Sequence, residues 1–248
     1  LGFPLVMKVR IGHGARGVYI CKDMVMLKKL FFKTIHDFDL EKVRWPILQE
    51  YLPGRKYKLD GVFSSRANLS SCVFEILRCK GKGNFGTSTF RKSVSHPAIL
   101  KYAEKAMSAL NWHGIYNTDW IEDSSGTPRL IDINGRVSGA IAQCYIAGSD
   151  LPWAWYRLAA NLEPDLYQEA VSEVYSRWLL GDAIALIEQV SQGQFSEVFS
   201  ILKPVRGCQH DDFNLSDPMP FFVQSLDYLL KFIKSKGSLR PIHGRVIR

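Results

Sequence analysis

Hydrophobic and polar positions along the chain repeat with two different periods, and the changes of period mark its elements. Leu5 to Arg10 and Val18 to Cys21 read as strands on either side of Ile11–Gly17, a segment holding Gly12, Gly14 and Gly17. Met24, Leu27, Leu30 and Phe31 recur at helical spacing, so a helix is expected over Asp23 to Lys33. Ile47 to Leu52 reads as a further strand, closed by the turn pair Pro53-Gly54. Tyr57 to Phe63 and Cys72 to Arg78 alternate like strands and are separated by the polar stretch Ser64 to Ser70. Lys80 to Thr89 is rich in glycine and polar residues and is expected to be a loop with a basic rim. Pro97 opens a helix that runs to Asn111, with Ile99, Leu100, Ala103, Ala106, Met107 and Leu110 along one stripe.

A hairpin follows. Asn117 to Glu122 and Pro128 to Asn134 flank the polar turn Asp123-Ser124-Ser125-Gly126-Thr127. A turn centred between Ser125 and Gly126 sets Asp119 opposite Asp132, with the two side chains roughly 5 Å apart on one face. Asn134 shares that face because side chains repeat every second residue. Like charges directly opposite are unfavourable unless a cation lies between them. An all-oxygen set suits Mg²⁺ or Mn²⁺. From the residues alone, solvated or arginine-paired acids are an equal reading.

Beyond the hairpin, Gly139 to Ala147 and Leu151 to Asn161 read as helices, the second with a bulky stripe (Trp153, Trp155, Tyr156, Leu158) that fits core. After Glu163 the pattern thins: Ala183 to Val190 and Phe221 to Lys234 read as helical, and the basic end from Gly237 to Arg248 as frayed. There are no internal repeats.

Composition narrows the class. With 46% hydrophobic and 23% charged residues, the 248-residue chain has the make-up of an ordinary soluble globular protein, of one or two domains. No apolar run is long enough for a bilayer, and Leu1-Gly2-Phe3-Pro4 does not match a signal peptide. The chain begins without Met inside a strand pattern, as a fragment or processed piece would. Five scattered cysteines without a C-x-x-C pair argue against a disulfide framework or zinc site and for a reducing, cytoplasmic setting. The net charge of +8 calls for anionic partners. Its basic residues are spread out and no nucleic-acid-binding signature accompanies them, so the phosphates of a small nucleotide are favoured over nucleic acid. Lys8, Arg10 and Arg16 around the glycine-rich segment fit a cover whose backbone N–H groups meet phosphate.

In this order, the segments Val6-Met7-Lys8-Val9-Arg10 with Gly12-His13-Gly14-Ala15-Arg16-Gly17, Gln49-Glu50-Tyr51-Leu52-Pro53-Gly54 and Asp132-Ile133-Asn134-Gly135-Arg136-Val137-Ser138-Gly139 resemble the ATP-grasp superfamily, specifically the carbamoyl-phosphate-synthase-like carboxylate–amine ligases. Ala147-Gly148-Ser149-Asp150-Leu151-Pro152 and Tyr156-Arg157-Leu158-Ala159 extend the resemblance, which covers Phe3 to Asn161 and lacks the family's N-terminal part. It implies an α+β ATP-grasp fold, in which two α+β subdomains grip ATP, with a mostly helical C-terminal extension. Residues 1–52 would be the remainder of the lid subdomain, 53–162 the C-terminal subdomain with the metal hairpin, and 163–248 an extension without an assigned role.

The resemblance also implies roles. Lys8 would hold ATP phosphate, with Arg10, Gly12, Gly14, Arg16 and Gly17 in the flexible cover. Gln49, Glu50, Tyr51 and Leu52 would be the hinge that meets adenine through backbone groups. Asp119, Asp132 and Asn134 would bind Mg²⁺ or Mn²⁺. Arg136 and Arg78 would be the catalytic arginines, the first steadying the transferred phosphate or acyl phosphate and the second facing the carboxylate substrate. The implied activity joins small-molecule carboxylate and amine (or thiol) substrates through an acyl phosphate; the alternative is a degenerate module that binds nucleotide or a partner without turnover. Three departures stand out. Lys56 replaces the Glu that meets the ribose, with Asp60 nearby as the candidate substitute; Asp132 is one methylene shorter than the usual Glu; and Gly135 stands where Pro is common, which is expected to loosen the turn before Arg136.

Overall fold

The computed structural model describes residues 1–12, 17–81, 85–163, 167–191, 193 and 195–234. The chain opens with β1 (Leu5–Lys8), β2 (Val18–Cys21), α1 (Met24–Phe38) and β3 (Ile47–Glu50). These strands form an antiparallel sheet in the order β2-β1-β3. Leu5, Met7 and Cys21 are buried against Leu27 of α1. Asp23 starts α1 by accepting the Met26 N–H at 2.7 Å, which satisfies one of the unpaired amides at a helix start. The opposite face of β1 carries Val6 and Lys8, half-buried beside Gln49 and Ile47 of β3.

A larger sheet follows, built on β4 (Lys56–Ser64), β5 (Asn68–Gly81), β6 (Phe85–Ser93), β7 (His113–Glu122) and β8 (Pro128–Asn134), with α2 (Pro97–Ala109) between β6 and β7. After it come α3 (Ile141–Ile146), α4 (Leu151–Ala159), β9 (Gln168–Glu169), β10 (Tyr175–Arg177), α5 (Leu179–Ser191), α6 (Phe195–Leu202), β11 (Gln209–His210) and α7 (Met219–Lys234). Among the described residues the sheet runs β11-β10-β6-β5-β4-β7-β8, with β9 on β5.

Strand alternation gives this sheet two packed faces. Tyr57, Leu59, Val73, Tyr116 and Trp120 point at α2 and meet Ile99, Ala103 and Met107. The intervening positions Val62, Cys72, Phe74 and Ile115 pack under Ala140, Cys144, Ala147 and Leu151, at α3 and α4. Lys58, Asp60, Asn117 and Asp119 belong by parity to this second face.

The loop expected over Lys80 to Thr89 is corrected: β5 continues to Gly81 and β6 begins at Phe85, with residues 82–84 outside the described set. The apolar pattern failed because the buried positions of β6 are Ser88, Thr89, Arg91 and Ser93. Arg91, 1% exposed, reaches the Ser88 hydroxyl (2.8 Å) and carbonyl (2.7 Å), the Ser176 hydroxyl (3.3 Å) and the Asp211 carboxylate. A charge so partnered is tolerated in a sheet interior. The C-terminal part is mostly helical, and its short strands also join the sheet: β9 pairs with β5, and β10 lies between β6 and β11. No described helix is long and apolar enough to cross a membrane.

Candidate active site

The hairpin β7–β8 places Asp119 opposite Asp132 and Asn117 opposite Asn134. Its turn differs from the symmetric one expected. Nearer the tip Trp120 pairs with Leu130 and Ile121 with Arg129, so the ladder shifts by one residue at Ile131. This β-bulge returns the two acids to register. The tip is built on Asp123, whose Oδ1 accepts the N–H groups of Ser125 (2.9 Å) and Thr127 (3.0 Å) and whose Oδ2 accepts Arg129 Nε (2.8 Å). Hydrogen bonds from Ser125 and Thr127, with help from Arg129, hold the Asp123 carboxyl well below the usual carboxylate range.

A bulged residue leaves the ladder and frees its backbone groups. The Ile131 carbonyl is taken by Lys8 Nζ at 2.7 Å. Lys8 thereby spans from the small sheet to the hairpin, one residue from Asp132. On the other flank Lys58 Nζ lies 3.3 Å from Asp119 Oδ1, with side chains 17% and 26% exposed. Lys58 is directly opposite Asp119 on β4. Asn134 Nδ2 stands 3.5 Å from Asp132 Oδ2. Two carboxylates and an amide therefore share one face between two lysines. Their all-oxygen donor set fits a hard divalent cation. Among the described residues no group of three or more His, Cys, Asp or Glu side chains could hold a metal ion, so this set rests on two carboxylates and one amide.

Arg136 is exposed and its Nη1 donates to the Val137 carbonyl at 3.1 Å. Its own carbonyl accepts Asn117 Nδ2 at 2.8 Å. The expected looseness at Gly135 is not what the structure holds. The Trp112 ring lies over Gly135, and a Cβ there would come within 2.4 Å of Trp112 Cη2. Glycine is required here by space. Asp60 lies inside the protein at 1% exposure, so its oxygens are withdrawn from a ribose. Burial pushes its carboxyl up to about 6, against the opposing pull of Lys58 and of the nearby Ser138 hydroxyl.

The other expected residues are placed as follows. Arg78 is held by Asp182 of α5, through Nε (3.0 Å) and Nη2 (2.6 Å), and its guanidinium lies 5.2 Å from the Phe90 ring centre. With both partners nearly buried, Arg78 ties α5 to the sheet instead of standing open to a ligand. Arg10 is exposed and donates to the Trp45 carbonyl at 3.1 Å. Gly12 is exposed. Gly17 is buried, with φ of +72° and its Cα against Val9, so a side chain there is excluded twice over. Gly14 and Arg16 lie outside the described residues. Gln49 and Glu50 sit on β3, an edge strand whose outward backbone groups point away from β1; Tyr51 and Leu52 follow, half-buried. Lys56 shares the face of Lys58, and burial lowers its pKa.

Lys58, Asn117 and Ser138 were not singled out from the sequence. Alternation carried the signal for two of them: Lys58 is two positions from Asp60, and Asn117 two before Asp119.

Comparisons with known proteins agree with this architecture. The chain resembles the biotin carboxylase domain of 2-oxoglutarate carboxylase from Hydrogenobacter thermophilus, solved with MgADP and bicarbonate, at TM-score 0.56 and 20% identity over 70% of this chain and 40% of that one. It resembles an L-amino acid ligase from Bacillus licheniformis at TM-score 0.55 and 19% identity, over 70% and 45% of the respective chains. The fold is thus an ATP-grasp fold. By the match of residues 42–179 to its family model, the chain belongs to the family described as ATP-grasp in the biosynthetic pathway with Ter operon. It is also 26% identical over 180 residues to carnosine synthase 1 of Mus musculus, a span of 66% of this chain and 22% of that protein. The chain therefore spans about a fifth of this relative and under half of either solved structure.

Proposed function

We propose that this chain provides the nucleotide and metal site of an ATP-dependent ligase that activates a carboxylate as acyl phosphate for attack by an amine or a thiol. Family membership and the ligases among its relatives support the general activity. The observation that carries the reading is the bulge-corrected pairing of Asp119 with Asp132, flanked by Lys58 and Lys8.

In this reading Asp119, Asp132 and Asn134 hold Mg²⁺ (or Mn²⁺), which when bound offsets the negative charge of the nucleotide phosphates. Lys8 sits on the lid sheet and donates to β8, so its ammonium is at hand to exchange a carbonyl for a phosphate oxygen. Lys58 keeps a positive charge beside Asp119 and tempers the repulsion between the two acids. Arg136, exposed at the hairpin's end, offers a planar guanidinium to a phosphoryl group or carboxylate. Phosphoryl transfer needs mainly positioning and charge neutralisation, and this side-chain set offers both. Edge strand β3 leaves backbone groups for adenine. The carboxylate and the amine belong to the chemical classes named for the relatives, a carnosine synthase and an L-amino acid ligase.

One observation favours a second reading. Lys58 already sits on Asp119, and Lys56 occupies the place where the resemblance expects Glu, as a module that binds nucleotide without turnover could have them. Phosphate release separates the two readings. With Mg²⁺-ATP and a panel of amino acids and other small carboxylates and amines, the ligase reading expects substrate-dependent phosphate and an amide product. Nucleotide binding without phosphate release across the panel would instead support the binding module.

A further inference from the structure

Beneath Arg136 lies a buried polar pair that none of the ligand-facing roles uses. Asp60 on β4 and Asn117 on β7 are cross-strand partners, 1% and 0% exposed. They share a sheet face with Val62, Cys72 and Ile115, and Oδ1 of each has no hydrogen-bond partner among the described residues. Burying a carboxyl and an amide there is costly unless their hydrogen bonds do something an apolar pair could not.

What Asn117 holds is the turn after the hairpin. Asn117 Nδ2 donates to the Arg136 carbonyl at 2.8 Å. The Ser138 hydroxyl accepts the Ala140 N–H at 3.1 Å, joining the turn to the start of α3. Cys144 Sγ, on α3, reaches Asp60 Oδ2 at 3.7 Å. Trp112 closes the third side over Gly135. Among the described residues Arg136 makes no ion pair, and its side chain is exposed, so its placement depends on the backbone beneath it.

We propose that Asn117 is a positioning residue for Arg136, fixing the backbone of the turn after β8 so that the exposed guanidinium is presented at the hairpin's end. The kinetic part of this proposal rests on the ligase reading; the structural part does not. A reacting group displaced by about 1 Å loses on the order of 100-fold in rate.

The test uses the full chain carrying Asn117→Asp, which keeps the shape and removes the donor, with Asn117→Ser as a second variant should the first not fold. Asp60→Asn, at a buried neighbour with no hydrogen bond to the turn, serves as the control. Hydrogen exchange followed by mass spectrometry reads the turn directly. Exchange over residues 135–139 is expected to rise about tenfold in the Asn117 variant and to stay near that of the unaltered chain in Asp60→Asn, while β4 and β7 stay protected in both. Phosphate release is expected to fall about 10- to 100-fold in kcat, with KM for Mg²⁺-ATP within about twofold, and to fall no further when Arg136→Ala is added. Unchanged exchange in the turn, or losses that add to that of Arg136→Ala, would overturn the proposal. Should the unaltered chain release no phosphate on any substrate, the ligase reading fails on its own, and the exchange result alone then upholds or overturns the positioning role.

Discussion

Gly135 illustrates how a single residue is fixed by its surroundings. Its backbone angles are open to any residue, yet the Trp112 ring fills the space a side chain would take. Gly135→Ala is therefore expected to lower stability by about 1–3 kcal/mol, the usual cost of overpacking, measured as a shift of the urea midpoint. Trp112→Leu should relieve most of that cost when the two are combined. Equal losses with and without Trp112 would show that the ring is not the obstacle. No local pattern marks this contact, because Trp112 and Gly135 meet only once β7 and β8 have paired. The same holds for Lys58, a basic residue among many until pairing sets it against Asp119. Asp119 and Asp132, by contrast, were legible from the residues, since a polar turn between two alternating runs dictates which side chains face each other.

At the scale of elements, the hairpin reached the expected pairing by an unexpected route. Its tip is offset by one residue, and the bulge at Ile131 absorbs the offset. Deleting Ile131 should leave a regular hairpin with Asp119 still opposite Asp132, while removing the carbonyl that Lys8 binds. A hydrogen bond to a charged group contributes about 1.5–3 kcal/mol, and Lys8 gives this one up on taking a phosphate oxygen, so Mg²⁺-ATP affinity is expected to hold or to rise up to about tenfold, with the circular dichroism spectrum unchanged. Titration calorimetry reads the affinity; weakened binding would mean that the carbonyl holds Lys8 in place for phosphate instead of competing with it. The strand β6 was missed for a related reason. Periodicity detects apolar residues, and β6 buries serine, threonine and arginine whose partners come from β10 and the segment after α6. Such partners lie far along the chain and are invisible to a local pattern.

For the whole molecule, arginines join the C-terminal segment to the sheet. Arg78 meets Asp182 of α5 with both side chains nearly buried. Removing one partner of a buried pair strands the other charge, so Asp182→Ala is expected to cost about 3–5 kcal/mol of unfolding free energy. A loss below about 1 kcal/mol in urea denaturation would place this contact among weak surface pairs. Resemblance had assigned Arg78 to a carboxylate substrate; here its carboxylate comes from the chain itself. Most of the ATP-grasp frame was legible because its segments keep their order and spacing, whereas the packing of the last third depends on long-range polar contacts.

The most direct measurement is the melting temperature of the full chain with and without Mg²⁺-ATP, beside the Asp132→Ala variant. A ligand at about 100 times its Kd adds about 2.7 kcal/mol to the folded state. The unaltered chain should therefore melt several degrees higher with millimolar Mg²⁺-ATP, and Asp132→Ala should lose that rise while keeping its ligand-free melting temperature. No rise in the unaltered chain, or the same rise in the variant, would contradict the nucleotide and metal site built on Asp119, Asp132 and Asn134.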